Sequence, residues 1–285
     1  MKRNTARLLI SCPDAKGLIA AVAGFVAQYD GNILASDQHV DPQVGRFFMR
    51  VEIDAEGLRL GPENFAAAFG PFAQRFDMQW SIHWGHLTKR MAVFVGKQGH
   101  CLHDLLWRWQ SGELAVELPL VISNHADCRQ VVQRQGIAFH HLPVDPADKA
   151  AQQRRAAELL DEARVDFVVL ARYMQILSPE FVDRYPNRII NIHHSFLPAF
   201  AGPKPYHQAY ERGVKIIGAT SHYVTAELDQ GPIIAQATLP VDHRDSIDEL
   251  VRKGRDLERM VLAEAVRLHV EDKILVNENR TVVFD

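Results

Sequence analysis

The stretch DFVVLARYMQILSPEFVDRYPNRIINIHHSFLPAF, residues 166–200, decides the fold. Its first run, DFVVLAR, is apolar at successive positions and does not alternate between a wet and a dry face. That pattern marks a strand covered on both sides, as in a parallel sheet. SPEFVDRYPN follows as a short helix, with Ser178 as N-cap and Pro179 at the first helical position, where a missing N–H costs nothing. RIINIHH is a second apolar strand. Apolar strands alternating with helices imply a mostly parallel sheet with helices on both faces.

The same alternation extends outward. Upstream come the strand RMAVFVGK with a glycine-bearing turn, the helix CLHDLLWRWQSG, the strand ELPLVISN, the short helix CRQVVQRQG, the strand IAFHHLP and the helix AQQRRAAELLDEARV. Downstream, GVKIIGATSHYVTAELDQGPIIAQATLPV reads as strand–loop–strand. SIDELVRKGRDLERMVLAEAVRLHVED is a long amphipathic helix, and KILVNENRTVVF a closing hairpin. Ahead of this block the pattern changes. RLLISC, LIAAVAGFVAQYD, NILASDQHVD, GRFFMRVEID, GPENFAAAFGPFAQRFD and MQWSIHW read as βαββαβ, a ferredoxin-like sandwich. Gly31-Asn32 stops its first helix, and Gly70-Pro71 is expected to break or bend its second. The chain is therefore α/β with two domains, residues 1–85 and 86–285, the second Rossmann-like.

Composition narrows the function. Net charge is −3 and no Lys/Arg run occurs, so no nucleic-acid footprint is expected. No apolar stretch reaches membrane-spanning length, so no membrane partner is expected. Cys12, Cys101 and Cys128 are scattered without C-x-x-C spacing, which fits a reducing cytoplasm better than a disulfide framework or zinc knuckle. The N-terminus meets Pro13-Asp14 before a signal-peptide core forms.

In open α/β sheets, ligands bind beyond the carboxyl ends of strands. Asn191, His193 and His194 sit at such an end. Residues two apart on a strand share a face, so Asn191 and His193 point together while His194 points across or into the following turn. An amide can donate to an oxyanion and an imidazole can move a proton. Equally, both could be satisfied core residues at a strand end. Asp229, in the Leu-Asp-Gln-Gly-Pro turn, could bond His193 and stabilise its imidazolium, or could simply be a turn residue. His193, His194, His222 and Asp229 lack any zinc-site spacing, so no metal is expected. Ser195 has no G-x-S-x-G elbow and should bond local backbone before Leu197-Pro198. VGKQGHC is not a dinucleotide fingerprint.

Taken together, INIHHSFLP and, about thirty residues later, GATSHYVTAELDQGPII resemble the folate-dependent formyltransferase family. SFLPAF, KPYHQAYERGVKIIGAT and the closing HRDSIDELVRKGRDLERMVLAEAVR look like its deformylase branch. CPDAKGLIAAVAGFVAQYDGNI resembles the N-terminal ACT domain of that branch, so the resemblance spans essentially the whole chain. It implies an ACT regulatory domain followed by a formyltransferase-like domain, and hydrolysis of 10-formyltetrahydrofolate to formate and tetrahydrofolate. Formyl transfer to an amine and a silent folate or amino-acid sensor are the alternatives. The family pattern makes Asn191, His193 and Asp229 the catalytic set. It places folate against Tyr173, Met174 and Ile176 of ARYMQILSP, against Val224, Thr225 and Glu227, and near His194. It places an amino-acid effector at Asp14, Gly17, Asn32 and Ile33 of a homo-oligomer. No metal or organic cofactor is implied, since the folate is the substrate. Gly96-Lys97-Gln98-Gly99 lacks the Ser-Asn pair with which relatives hold a phosphorylated acceptor, which favours water.

Overall fold

The structure, a computed structural model, describes residues 4–145, 147–199 and 205–285. It divides into two units. The first comprises residues up to Thr88 together with Glu271–Asn277 and Val282–Asp285; the second comprises Lys89–Val270 and Glu278–Thr281.

In the first unit, β1 (Thr5–Pro13), α1 (Leu18–Gln28), β2 (Asn32–Asp41), β3 (Arg46–Asp54), α2 (Pro62–Gln74) and β4 (Gln79–Trp84) follow one another. The strands form an antiparallel sheet in the order β2-β3-β1-β4. Ala6, Leu8, Ile10 and Cys12, alternate residues of β1, join Val22 and Val26 of α1 and Phe65 and Phe69 of α2 in one buried core. This is the period-two, period-3.6 match that the sequence pattern requires.

The expected break at Gly70-Pro71 is corrected here. α2 runs unbroken across Pro71. The proline forfeits a backbone hydrogen bond, but its neighbours hold the helix: Phe69 and Phe72 lie 5.0 and 5.1 Å from the Phe25 ring. The domain expectation left the whole C-terminal tail with residues 86–285, whereas parts of it group with the first unit. The Asp272 carboxylate pairs with Arg7 at 2.9 Å. Its carbonyl accepts from Arg50 Nε at 3.0 Å. These partners are more than two hundred positions away, beyond any local pattern.

The second unit runs β5 (Arg90–Val95), α3 (His100–Gln110), β6 (Glu117–Ser123), α4 (Arg129–Arg134), β7 (Ala138–His141), α5 (Lys149–Glu162), β8 (Phe167–Ala171), α6 (Pro179–Asp183), β9 (Ile189–His193), α7 (Pro205–Arg212), β10 (Ile216–Tyr223), β11 (Ile233–Pro240) and α8 (Ile247–Val270). After α8 the chain closes with β12 (Ile274–Asn277) and β13 (Arg280–Val283), a two-stranded sheet. The large sheet is ordered β11-β10-β9-β8-β5-β6-β7. Its pairings are parallel from β9 through β7 and antiparallel at β9–β10 and β10–β11. Ser178 caps α6 as expected, accepting from the Phe181 amide, with Pro179 behind it.

Strand order reverses direction at β5. The chain runs outward through β6 and β7, then returns to β8 and β9 on the other side of β5. Such a switch point opens a crevice at the strand ends, because the loops there diverge. The loops after β5 and β8 border it and touch: a Cβ on Gly96 would lie 2.6 Å from the Arg172 carbonyl oxygen.

Candidate active site

Asn191 and His193 occupy the carboxyl end of β9. The β9–β10 register sets His222 opposite Asn191 and Thr220 opposite His193. Asn191 Nδ2 lies 3.2 Å from His222 Nε2. His222 Nδ1 lies 2.9 Å from the Tyr223 carbonyl. A carbonyl can only accept, so Nδ1 carries the proton and Nε2 is the acceptor for the Asn191 amide. Burial lowers the His222 pKa, against smaller opposing pulls from the Tyr223 carbonyl and Asp229, which agrees with a neutral ring. One Asn191 N–H is thereby fixed, and the other has no partner among the described residues.

Asp229 arrives from the loop between β10 and β11. Its backbone is left-handed, φ 56°, a conformation that aspartate tolerates better than most residues. Gly231 holds the loop down, since any Cβ there would fall 1.7 Å from the Tyr223 carbonyl oxygen. Asp229 Oδ1 is 3.3 Å from His193 Nδ1 and 3.7 Å from His222 Nε2. The hydrogen bond from His193 holds the Asp229 carboxyl below its ordinary range, against the effect of burial. His193 Nε2 is buried and has no hydrogen-bond partner among the described residues. A polar atom in that state is costly unless something completes it. An amide N–H, an imidazole nitrogen backed by a carboxylate, and a loop aspartate together can polarise a carbonyl and carry a proton.

His194 is buried, and burial, followed by the nearby Arg172 charge, pushes its pKa down to about 3. It is therefore a neutral ring near pH 7. Ser195 Oγ donates to the Ala199 carbonyl at 2.7 Å. Thr220 Oγ1 accepts from the Leu197 amide and donates to the Ser195 carbonyl. Ser195 thus serves the turn.

The other candidates are spread along the bordering loops. Tyr173 lies in the core, its ring 5.3 Å from Phe94 and its hydroxyl 2.6 Å from Gln152 Nε2. Its side chain is thus engaged in the core. Met174 and Ile176 are 64% and 72% exposed, so they are not core residues. Val224 is half-buried, and its amide donates to the Ile189 carbonyl. Thr225 Oγ1 donates to the carbonyl of exposed Glu227. Leu228, absent from the sequence-based set, is another exposed apolar side chain in this loop. In the first unit, Asp14 is exposed and its amide donates to the Gly45 carbonyl. Gly17 caps α1 at φ 87°. Asn32 and Ile33 open β2 just before a bulge.

Sequence reasoning missed His222 as a partner of Asn191. The signal was present, since Thr220 and His222 share a face of β10 by the same alternation that linked Asn191 and His193. It also missed Glu258 and Arg172, for which no local pattern exists.

Comparison with known proteins gives the family and the fold. Residues 89–266 match the formyl transferase family and residues 6–60 the ACT domain. The chain is 53% identical over 284 residues to a formyltetrahydrofolate deformylase of Synechocystis sp., covering all of both chains. It is 52% identical to one of Bacillus subtilis, covering 98% of this chain and 93% of that one. A crystal structure of a formyltetrahydrofolate deformylase from Pseudomonas syringae pv. tomato superposes with a TM-score of 0.98 at 50% identity, covering 100% of this chain and 96% of that one.

Proposed function

This chain belongs to the formyltetrahydrofolate deformylase family, and we propose that Asn191, His193 and Asp229 carry its reaction. The enzyme hydrolyses 10-formyltetrahydrofolate to formate and tetrahydrofolate. Water attacks the formyl carbon and negative charge grows on the formyl oxygen. The Asn191 N–H not used by His222 donates to that oxygen. His193 takes the proton of the attacking water at Nε2, and Asp229 at Nδ1 stabilises the imidazolium so formed. The same proton passes to the departing nitrogen of the folate as the C–N bond breaks. The formic acid released ionises near pH 7, so one proton is liberated per turnover. The observation that carries this reading is the buried His193 Nε2, which has no partner among the described residues while its Nδ1 faces Asp229.

No step requires a metal or organic cofactor. Extensive dialysis against chelator should leave the rate unchanged, and a rate restored only by added metal would oppose this. The folate ring is assigned to the loops holding Met174, Ile176 and Val224–Glu227. A small amino acid is assigned to Asp14, Gly17, Asn32 and Ile33 in an oligomer. Asp14→Ala should abolish any heat of amino-acid binding in calorimetry, and unchanged binding would remove that assignment. The deciding assay for the function measures formate from 10-formyltetrahydrofolate with and without amine acceptors. Equal release in both arms is expected. Release that depends on the amine would convert the assignment to a transferase.

A further inference from the structure

Arg172 has no task in the reaction above, yet its placement is costly. It follows β8 in the left-handed region, φ 62°, where a residue with a Cβ is strained and glycine is relaxed. Its side chain is only 10% exposed. An arginine in water-free surroundings stays charged, so its N–H groups need partners.

The surroundings supply charge balance but few hydrogen bonds. Glu258 Oε2 lies 3.4 Å from Arg172 Nε. The short bonds of that carboxylate go elsewhere: 2.7 Å to His100 Nε2, and 2.7 Å from the Tyr206 hydroxyl. Arg172 Nε and Nη1 have no hydrogen-bond partner among the described residues. Nη2 has Gln98 Oε1 at 3.3 Å. The platform behind the arginine is deliberately shaped. Gly254 in α8 carries no side chain where the Tyr206 ring lies, a Cβ there falling 2.1 Å from it. One turn later on the same face, Glu258 receives the Tyr206 hydroxyl.

The cluster does not suit a cation. His100, Cys101 and Glu258 bring ligand atoms within 4.8 Å of one another, but the guanidinium already stands on the same carboxylate. Burial also raises the Cys101 pKa and keeps its thiol protonated.

We propose that Arg172 is the receptor for a small carboxylate, the formate product, in the crevice between the loops after β5 and β8. The inference rests on the hydrolytic reading above. A guanidinium offers parallel N–H groups that match the two oxygens of a carboxylate. The crevice is where this sheet type receives ligands. Neutral His194 lies within the field of Arg172 and places no competing charge there. Arg172 would hold formate while tetrahydrofolate departs. The same chemistry could instead serve the glutamyl carboxylate of the folate.

The test titrates the full chain with ¹³C-formate by NMR and, in a parallel arm, with tetrahydrofolate by fluorescence. Arg172→Gly relaxes the backbone and should fold. It is expected to weaken formate binding by about ten- to a hundredfold, the effect of a lost charge-assisted hydrogen bond, with tetrahydrofolate affinity little changed. Arg172→Lys keeps the charge without the fork and should recover part of the formate affinity. Equal formate affinity in wild type and Arg172→Gly overturns the proposal, as does no saturable formate binding to wild type. Weakened tetrahydrofolate binding with formate binding intact assigns the guanidinium to the glutamyl carboxylate and also overturns it. Both titrations are read without turnover. Absence of formate release by wild type would therefore count against the hydrolytic reading alone.

Discussion

Gly231→Ala is a one-carbon change two residues from Asp229, and it should disable the enzyme without touching a reacting group. The added Cβ would fall 1.7 Å from the Tyr223 carbonyl oxygen, where ordinary contact begins at 3.4 Å, so the loop must retreat by roughly half that distance. Tyr223 cannot yield instead. It ends β10, which is paired on both sides, and its amide donates to the Pro232 carbonyl at 2.9 Å. The retreat falls on the loop, and Asp229 moves away from His193, already 3.3 Å from it. A misplacement of about 1 Å at a catalytic group costs on the order of a hundredfold in rate. The expected result is kcat reduced about a hundredfold, approaching that of Asp229→Asn. Circular dichroism should be native and melting only modestly lowered. The assay is formate release under saturating substrate, with the melting temperature as the control for folding. A folded Gly231→Ala protein with kcat within about threefold of wild type would refute the claim that this glycine sets the position of Asp229.

The remaining expectations are briefer. Asn191→Ala removes the oxyanion donor and should lower kcat by about a hundred- to a thousandfold, with KM little altered; a change mainly in KM would assign Asn191 to ground-state binding. His222→Phe leaves the Asn191 amide without its acceptor and should lower kcat by about tenfold while keeping the acid–base limbs of the pH profile. A shifted limb would instead make His222 a proton carrier. Stability should depend on pH with a definite sign. Burial, then Arg172, pushes the His194 pKa down to about 3 from 6.5, and burial lowers that of His222. Between these values the unfolded chain binds more protons than the folded one. Stability is therefore full above about pH 6.5 and lost progressively as pH falls toward about 3, by a few kcal/mol in all. Asp229 and Glu258, both depressed, add to the loss at the acid end. Urea midpoints across this range check the slope, and His194→Gln should flatten it.

Much of this molecule was legible because its strands and helices are locally consistent. The apolar runs of β5, β8 and β9 announced a covered parallel sheet, and Ser178-Pro179 announced the start of α6. Asn191 and His193 followed from a period of two. Asp229, by its own surroundings, was either a partner of His193 or a turn residue, and resemblance to a family decided between them. Pro71 misled because a local rule about helices was applied where an aromatic cluster overrides it. The grouping of the tail was illegible because its bonds, from Arg7 and Arg50 to Asp272, join residues that no window spans. Arg172 and Glu258 were illegible for the same reason. The pair comes from the end of β8 and the middle of α8, and His100 and Tyr206 complete it from α3 and α7.

Two polar networks meet at the ends of β8 and β9, which are adjacent and parallel. One runs from the Tyr223 carbonyl through His222 to Asn191, with Asp229 set between His222 and His193. The other gathers His100, Tyr206 and Arg172 on Glu258. Each stops at open ends among the described residues: the second Asn191 N–H and His193 Nε2 in the first, Arg172 Nε and Nη1 in the second. Burying a polar group without a partner costs more than a hydrogen bond returns, so such ends persist where a ligand completes them. Their chemistry differs as the proposed mechanism requires. A neutral nitrogen suits the proton of an attacking water, and a permanent cation suits the anion that water creates. His194 lies between these roles, its charge suppressed by burial and by Arg172, and to a lesser extent by His193. A protonated His194 would compete with Arg172 for the product anion and with His193 for the proton. On the proposed reading, keeping it neutral lets proton transfer and anion capture proceed side by side in one crevice.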